Sequence, residues 1–228
     1  MAFALIGLLI IGALAFLPQL WVRRVIESNS DHRPDFPGSG GEFAQHLLAE
    51  MKLTRVGVEE TNMGDHYDPA AKMVRLLPQH FNGKSLSAVV IAAHEVGHAM
   101  QDATNYAPLR MRTRMARLAG TIQTVGMVVM LAAPVMVLIT KSPAAALLNI
   151  AGGVLIIGFT VLIHAVTLPV EFDASFGRAM PVLKAGRYIS ERDMDSARNI
   201  LRAAAFTYVA AAAMSLLDVA RWMRVLRF

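Results

Sequence analysis

The alternation of apolar and charged positions divides the chain before any single residue is considered. Residues 2–22, 118–140 and 144–168 carry no charged side chain over 21, 23 and 25 positions. At a rise of ~1.5 Å per residue, each run is long enough to cross roughly 30 Å of hydrocarbon as a helix. A fourth apolar run, 203–217, has 15 residues, is rich in alanine and stops at Asp218. Its length leaves open a short span, a re-entrant helix or a helix packed on the rest of the protein. Between the first and second runs the pattern becomes that of a small folded domain. After a Pro- and Gly-rich loop over 28–41, Phe43, Leu47 and Leu48 share one helical face and predict a short helix over 42–51. Val56, Val58 and the run 72–77 read as strands, with Gly64-Asp65-His66-Tyr67-Asp68-Pro69 as the turn between them. Asn82-Gly83 then marks a turn, Ser85 and Ser87 offer N-caps, and Leu86, Val89, Val90 and Ala93 form the apolar stripe of a helix over 86–102.

Composition supports a membrane setting, since 55% of the residues are apolar. The first run lacks a basic leading segment and a small-residue cleavage site, so it reads as an uncleaved anchor. Arg23 and Arg24 follow it, while Arg110, Arg112, Arg114 and Arg117 precede the second run, which by the positive-inside rule places 23–117 on the cytoplasmic side. The second and third runs then form a hairpin about Lys141-Ser142-Pro143 and return the chain to that side. Arg178, Lys184, Arg187, Arg192, Arg198 and Arg202 agree with this placement. The predicted organisation is an anchor (2–22), a folded segment (28–116), two transmembrane helices (118–140 and 144–168), a second folded segment (169–202), and a C-terminal apolar helix with a basic tail (203–228). The fold class that follows is a mainly α membrane protein, a multi-pass helical bundle in the plasma membrane with a small α+β domain on the cytoplasmic side. The net charge of +5 does not indicate nucleic acid, because the arginines gather at membrane boundaries. Their partner is the lipid bilayer and its anionic headgroups.

The chemistry lies in His94-Glu95-Val96-Gly97-His98. On a helix, histidines at i and i+4 project from one face and can share a Zn²⁺ ion, and the intervening glutamate is placed to handle a proton on the activated water. The competing reading is a pair of satisfied polar residues on a half-buried helix. With no cysteine in the chain, thiolate ligands are excluded and the metal must be held by histidine and carboxylate. A catalytic zinc needs a third protein ligand, for which the candidates are His66, His80, His164, Glu171 and Asp173. Glu171 is the strongest, because it follows the third apolar run where the hairpin brings the chain back, and Pro169 can start a new helix with Glu171 in its first turn. The strand before the motif helix, Met73, Val74, Arg75, Leu76 and Leu77, is a candidate docking edge for an extended peptide, or simply the edge of a small sheet.

His94-Glu95-Val96-Gly97-His98-Ala99-Met100-Gln101, followed by two apolar runs and then Glu171-Phe172-Asp173-Ala174-Ser175, resembles the YugP-like family of membrane zinc metallopeptidases. More distantly it is similar to the HtpX-type membrane proteases of the gluzincin class. The resemblance covers nearly the whole chain and implies a zincin-like catalytic domain, zinc held by His94, His98 and Glu171, and Glu95 as general base. HtpX-type enzymes usually carry an aspartate four residues after the ligand glutamate, where this chain has Ser175, so the group behind a ligand histidine is expected to be Asp173 or Ser175. The function implied is hydrolysis of peptide bonds, with a peptide or membrane protein as substrate and a regulatory membrane partner or a second copy of the chain as further partners. The alternative is a non-proteolytic membrane scaffold or adaptor with a structural zinc site, against which the glutamate between the histidines argues.

Overall fold

The computed structural model describes residues 17–141 and 143–225. Helix α1 occupies 17–27. Ser39 then starts α2, Gly40–Glu50, through a capping box: its hydroxyl accepts from the Glu42 N–H while the Glu42 carboxylate accepts from the Ser39 N–H. Three strands follow, β1 (Gly57–Glu60), β2 (His66–Asp68) and β3 (Met73–Leu76). The short α3, Pro78–Phe81, leads into α4, Leu86–Ala103, whose N-cap Ser85 accepts from the Ala88 N–H at 3.2 Å. The remaining helices are α5 (Ala107–Thr140), α6 (Pro143–Phe172), a π-helical segment (Asp173–Ala179), α7 (Met180–Ala185), a 3-10 turn (Glu191–Asp193) and α8 (Met194–Val225).

The described residues form two compact units. One comprises 111–167 and 208–225; within it, α5 and α6 approach at Gly126, where an added Cβ would lie 2.1 Å from the Ile156 side chain. The other comprises 17–110 and 168–207 and is built around α4. Every residue from Leu86 to Ala99 is buried, so the helix is enclosed by its neighbours with the polar His94, Glu95 and His98 included. Leu47 of α2, Val74 and Leu76 of β3, Leu183 of α7, and Ile200 and Leu201 of α8 complete the core.

In the sheet the order is β1-β3-β2, with β1 parallel and β2 antiparallel to β3. Val74 and Leu76 alternate inward, while Arg75 points out and pairs with Glu59 and Asp68. This arrangement corrects the expectation that Met73 to Leu77 forms an exposed docking edge. β3 is the central strand, with Met73 to Leu76 paired to β1 and Met73 to Arg75 to β2, and the Leu77 N–H is donated to Asp65. Its backbone has no free side on which a peptide could add.

The expectation of a multi-pass helical bundle is also corrected. The described chain is mostly helical with a small three-stranded sheet, and among the described residues one continuous helical stretch, Gly158–Ala185, which runs from α6 through the π-helical segment into α7, is long and apolar enough to cross a membrane. An uncharged run meets a length requirement without defining a separate span. The second run is the later part of α5, which begins at Ala107 among arginines, and the third belongs to α6, which continues into the buried segment around Val170 and Glu171. The fourth lies inside α8, a 32-residue helix that starts at Met194. Most of the first run, 2–22, lies outside the described residues. Pro169 does not start a helix either; it sits inside α6, so Glu171 is near the end of an existing helix.

Candidate metal centre

His94 and His98 lie on α4, and their rings meet edge to face with centroids 4.8 Å apart. Both are buried, as is Glu95 between them. Across from this face the end of α6 supplies Glu171, which is 2% exposed. His94 Nε2 lies 3.2 Å and His98 Nε2 3.4 Å from the same oxygen, Glu171 Oε2. Three possible ligand atoms from these residues lie within 4.8 Å of one another, and among the described residues they form the one such group of histidine, cysteine, aspartate and glutamate side chains.

The close approach of the two helices has a specific cause. A Cβ built on Gly97 would lie 2.7 Å from the Ala174 carbonyl oxygen and 3.3 Å from its carbon, so only glycine lets the backbone after Glu171 settle against α4. In an unobstructed helix, Gly→Ala would gain about 0.5–1 kcal/mol. Here the overpacking cost, about 1–3 kcal/mol, exceeds that gain. Gly97→Ala is therefore expected to lower the thermal unfolding temperature and weaken zinc binding together; a variant with raised stability and undiminished zinc affinity would remove this account of the contact.

The nitrogens turned away from Glu171 are also engaged. His94 Nδ1 is 3.1 Å from Ser175 Oγ, and Ser175 is fully buried. His98 Nδ1 is 2.9 Å from the side-chain oxygen of Gln101, whose amide nitrogen donates to the Val170 carbonyl and to Asp173 Oδ2, each at 2.8 Å. Asp173 in turn accepts from Arg178 Nε at 2.8 Å, and Arg178 reaches back to Thr104 Oγ1 at 3.1 Å. Ser175 thus stands behind one histidine, and Asp173 reaches the other through Gln101. The sequence signal for Gln101 is a polar side chain three residues after His98 on the same helix.

The other candidates lie elsewhere. His66 Nδ1 is held by the Gly64 carbonyl at 2.8 Å, and His80 pairs with Asp65 at 2.8 Å. His164 belongs to α6 and is not part of the converging group.

The donor set fits zinc. Ligand bonds of ~2.0–2.1 Å in tetrahedral geometry place neighbouring donor atoms about 3.3 Å apart. The separations of 3.2 and 3.4 Å from Glu171 Oε2 to the two imidazole nitrogens correspond to such edges. Two imidazoles one helical turn apart, with a carboxylate delivered by a second helix, define the two-histidine, one-glutamate class of zinc proteins. The family model described as "Putative neutral zinc metallopeptidase" matches residues 4–227, and the chain belongs to that family. It is 32% identical over 215 residues to the "Putative membrane protease YugP" of Bacillus subtilis (strain 168), covering 93% of this chain and 91% of the relative. No solved structure matches the chain.

Proposed function

We propose that this protein hydrolyses peptide bonds at a zinc centre held by His94, His98 and Glu171, with Glu95 as general base. The observation that carries the reading is the convergence of both histidine Nε2 atoms on one buried carboxylate oxygen at tetrahedral-edge distances. Zinc bound there supplies Lewis acidity, making a water nucleophilic near neutral pH and polarising a carbonyl. Glu95, next to His94 on the same helix, takes the proton from the attacking water and passes it to the leaving amine. Burial of all four side chains limits competing water and strengthens their electrostatic influence. A purely structural zinc has no use for a carboxylate at position 95.

The substrates in this reading are peptide segments of membrane-associated proteins. The printed name of the Bacillus subtilis relative supports a membrane setting, as do the apolar helix Gly158–Ala185 and the exposed Val125, Val128, Val135, Leu138 and Ile139 of α5. The arginines at 110, 112, 114 and 117 favour the cytoplasmic side for the residues before them. Purified protein should cleave a quenched fluorescent peptide library, lose that activity when zinc is stripped by a chelator, and regain it on adding Zn²⁺. Cleavage that continues at undiminished rate in protein verified to be zinc-free would refute the proposal.

A further inference from the structure

We infer that Gln101 is a positioning residue that fixes the tautomer of His98 and ties it to the main chain around Glu171. The inference rests on the metal site proposed above and adds a device for presenting one of its ligands. A primary amide has two N–H donors on nitrogen and only acceptor capacity on oxygen. In Gln101, which is fully buried, the nitrogen faces two oxygens, the Val170 carbonyl and Asp173 Oδ2, both at 2.8 Å. The reversed amide would set its own oxygen against both of them, so the orientation is dictated by the surroundings.

The oxygen must then face His98 Nδ1 at 2.9 Å, and because that oxygen can only accept, Nδ1 carries the proton. A neutral imidazole protonated at Nδ1 has its lone pair on Nε2. That is the atom 3.4 Å from Glu171 Oε2. With zinc bound that lone pair would be directed at the ion, while in the metal-free protein the same nitrogen faces the Glu171 carboxylate.

The same amide spans the third ligand. Val170 immediately precedes Glu171 and Asp173 lies two residues after it, so the donors of Gln101 grip the chain on both sides of that carboxylate. Arg178 holds Asp173 in place and returns to Thr104 at the end of α4, closing a ring of contacts between the two helices. His94 is treated differently. Its partner is the Ser175 hydroxyl, which can donate or accept, so that contact alone does not select a tautomer.

The test uses the full chain and two probes, Zn²⁺ in competition with a chelator and ¹⁵N-labelled histidine in the metal-free protein at about pH 8, above the ordinary imidazole range. The His98 signals are assigned by their loss in His98→Asn. In the metal-free wild type, His98 is expected to show its proton on Nδ1. Gln101→Met keeps the volume but removes both acceptor and donors; it should abolish the tautomer preference and weaken zinc binding ten- to a hundredfold. Gln101→Glu retains the acceptor and should keep the Nδ1 proton while losing the grip on Val170 and Asp173. A wild-type His98 with no proton on Nδ1 overturns the inference even if neither variant folds, as does zinc affinity in Gln101→Met within twofold of wild type. A folded wild type that binds no zinc instead overturns the site on which the inference rests.

Discussion

Glu95→Gln is expected to slow peptide hydrolysis by about 10²–10⁴-fold while leaving zinc in place. The substitution preserves shape and removes the ability to accept a proton. Because α4 is enclosed along its length from Leu86 to Ala99, the helix should hold its position. The converging donor atoms come from His94, His98 and Glu171, so the ion loses no ligand. Zinc content by elemental analysis and kcat on a cleavable peptide read the two effects separately. Full activity in a zinc-loaded Glu95→Gln protein would end its assignment as base.

Glu171→Ala should produce the opposite pattern, loss of metal first and of activity as a consequence. Zinc sites with four protein ligands bind with roughly 10–16 kcal/mol, so one ligand accounts for about 2.5–4 kcal/mol, or two to three orders of magnitude in affinity. The metal-free fold is also expected to lose stability, because the deletion removes the buried carboxylate that both ligand histidines face. Chelator competition for Zn²⁺ together with thermal unfolding of the stripped protein separates these quantities. Unchanged zinc affinity would mean that another side chain is the third ligand.

How much of this was legible in the sequence depended on whether a feature was local. The pattern predicts the motif helix over 86–102 and the structure has it at Leu86–Ala103, because apolar periodicity and a serine cap act within one or two turns. The helix read over 42–51 is Gly40–Glu50 for the same reason. Strand order is not local. β2, three residues inside a stretch dominated by turn formers, adds to the far side of β3 and makes a supposed edge the centre of the sheet. At Pro169 a residue that usually marks a helix start is carried within a long helix, where packing of Thr167, Val170 and Glu171 overrides the local preference. The uncharged runs gave lengths but not the extent of the helices that contain them. Asp173 and Ser175 were singled out by nearness to Glu171, but which histidine each reaches depends on the π-helical turn that follows and on Gln101.

The order of the sheet has a further consequence, for how the protein fails rather than how it works. Its two outer strands have four and three residues, and they carry Glu59, Glu60 and Asp68. Short, charged edges are poor templates for pairing with a neighbouring chain. Aggregates of this protein should therefore grow through contact of the apolar faces of its long helices, and they should lack the ~4.7 Å cross-β spacing that marks strand-templated fibres.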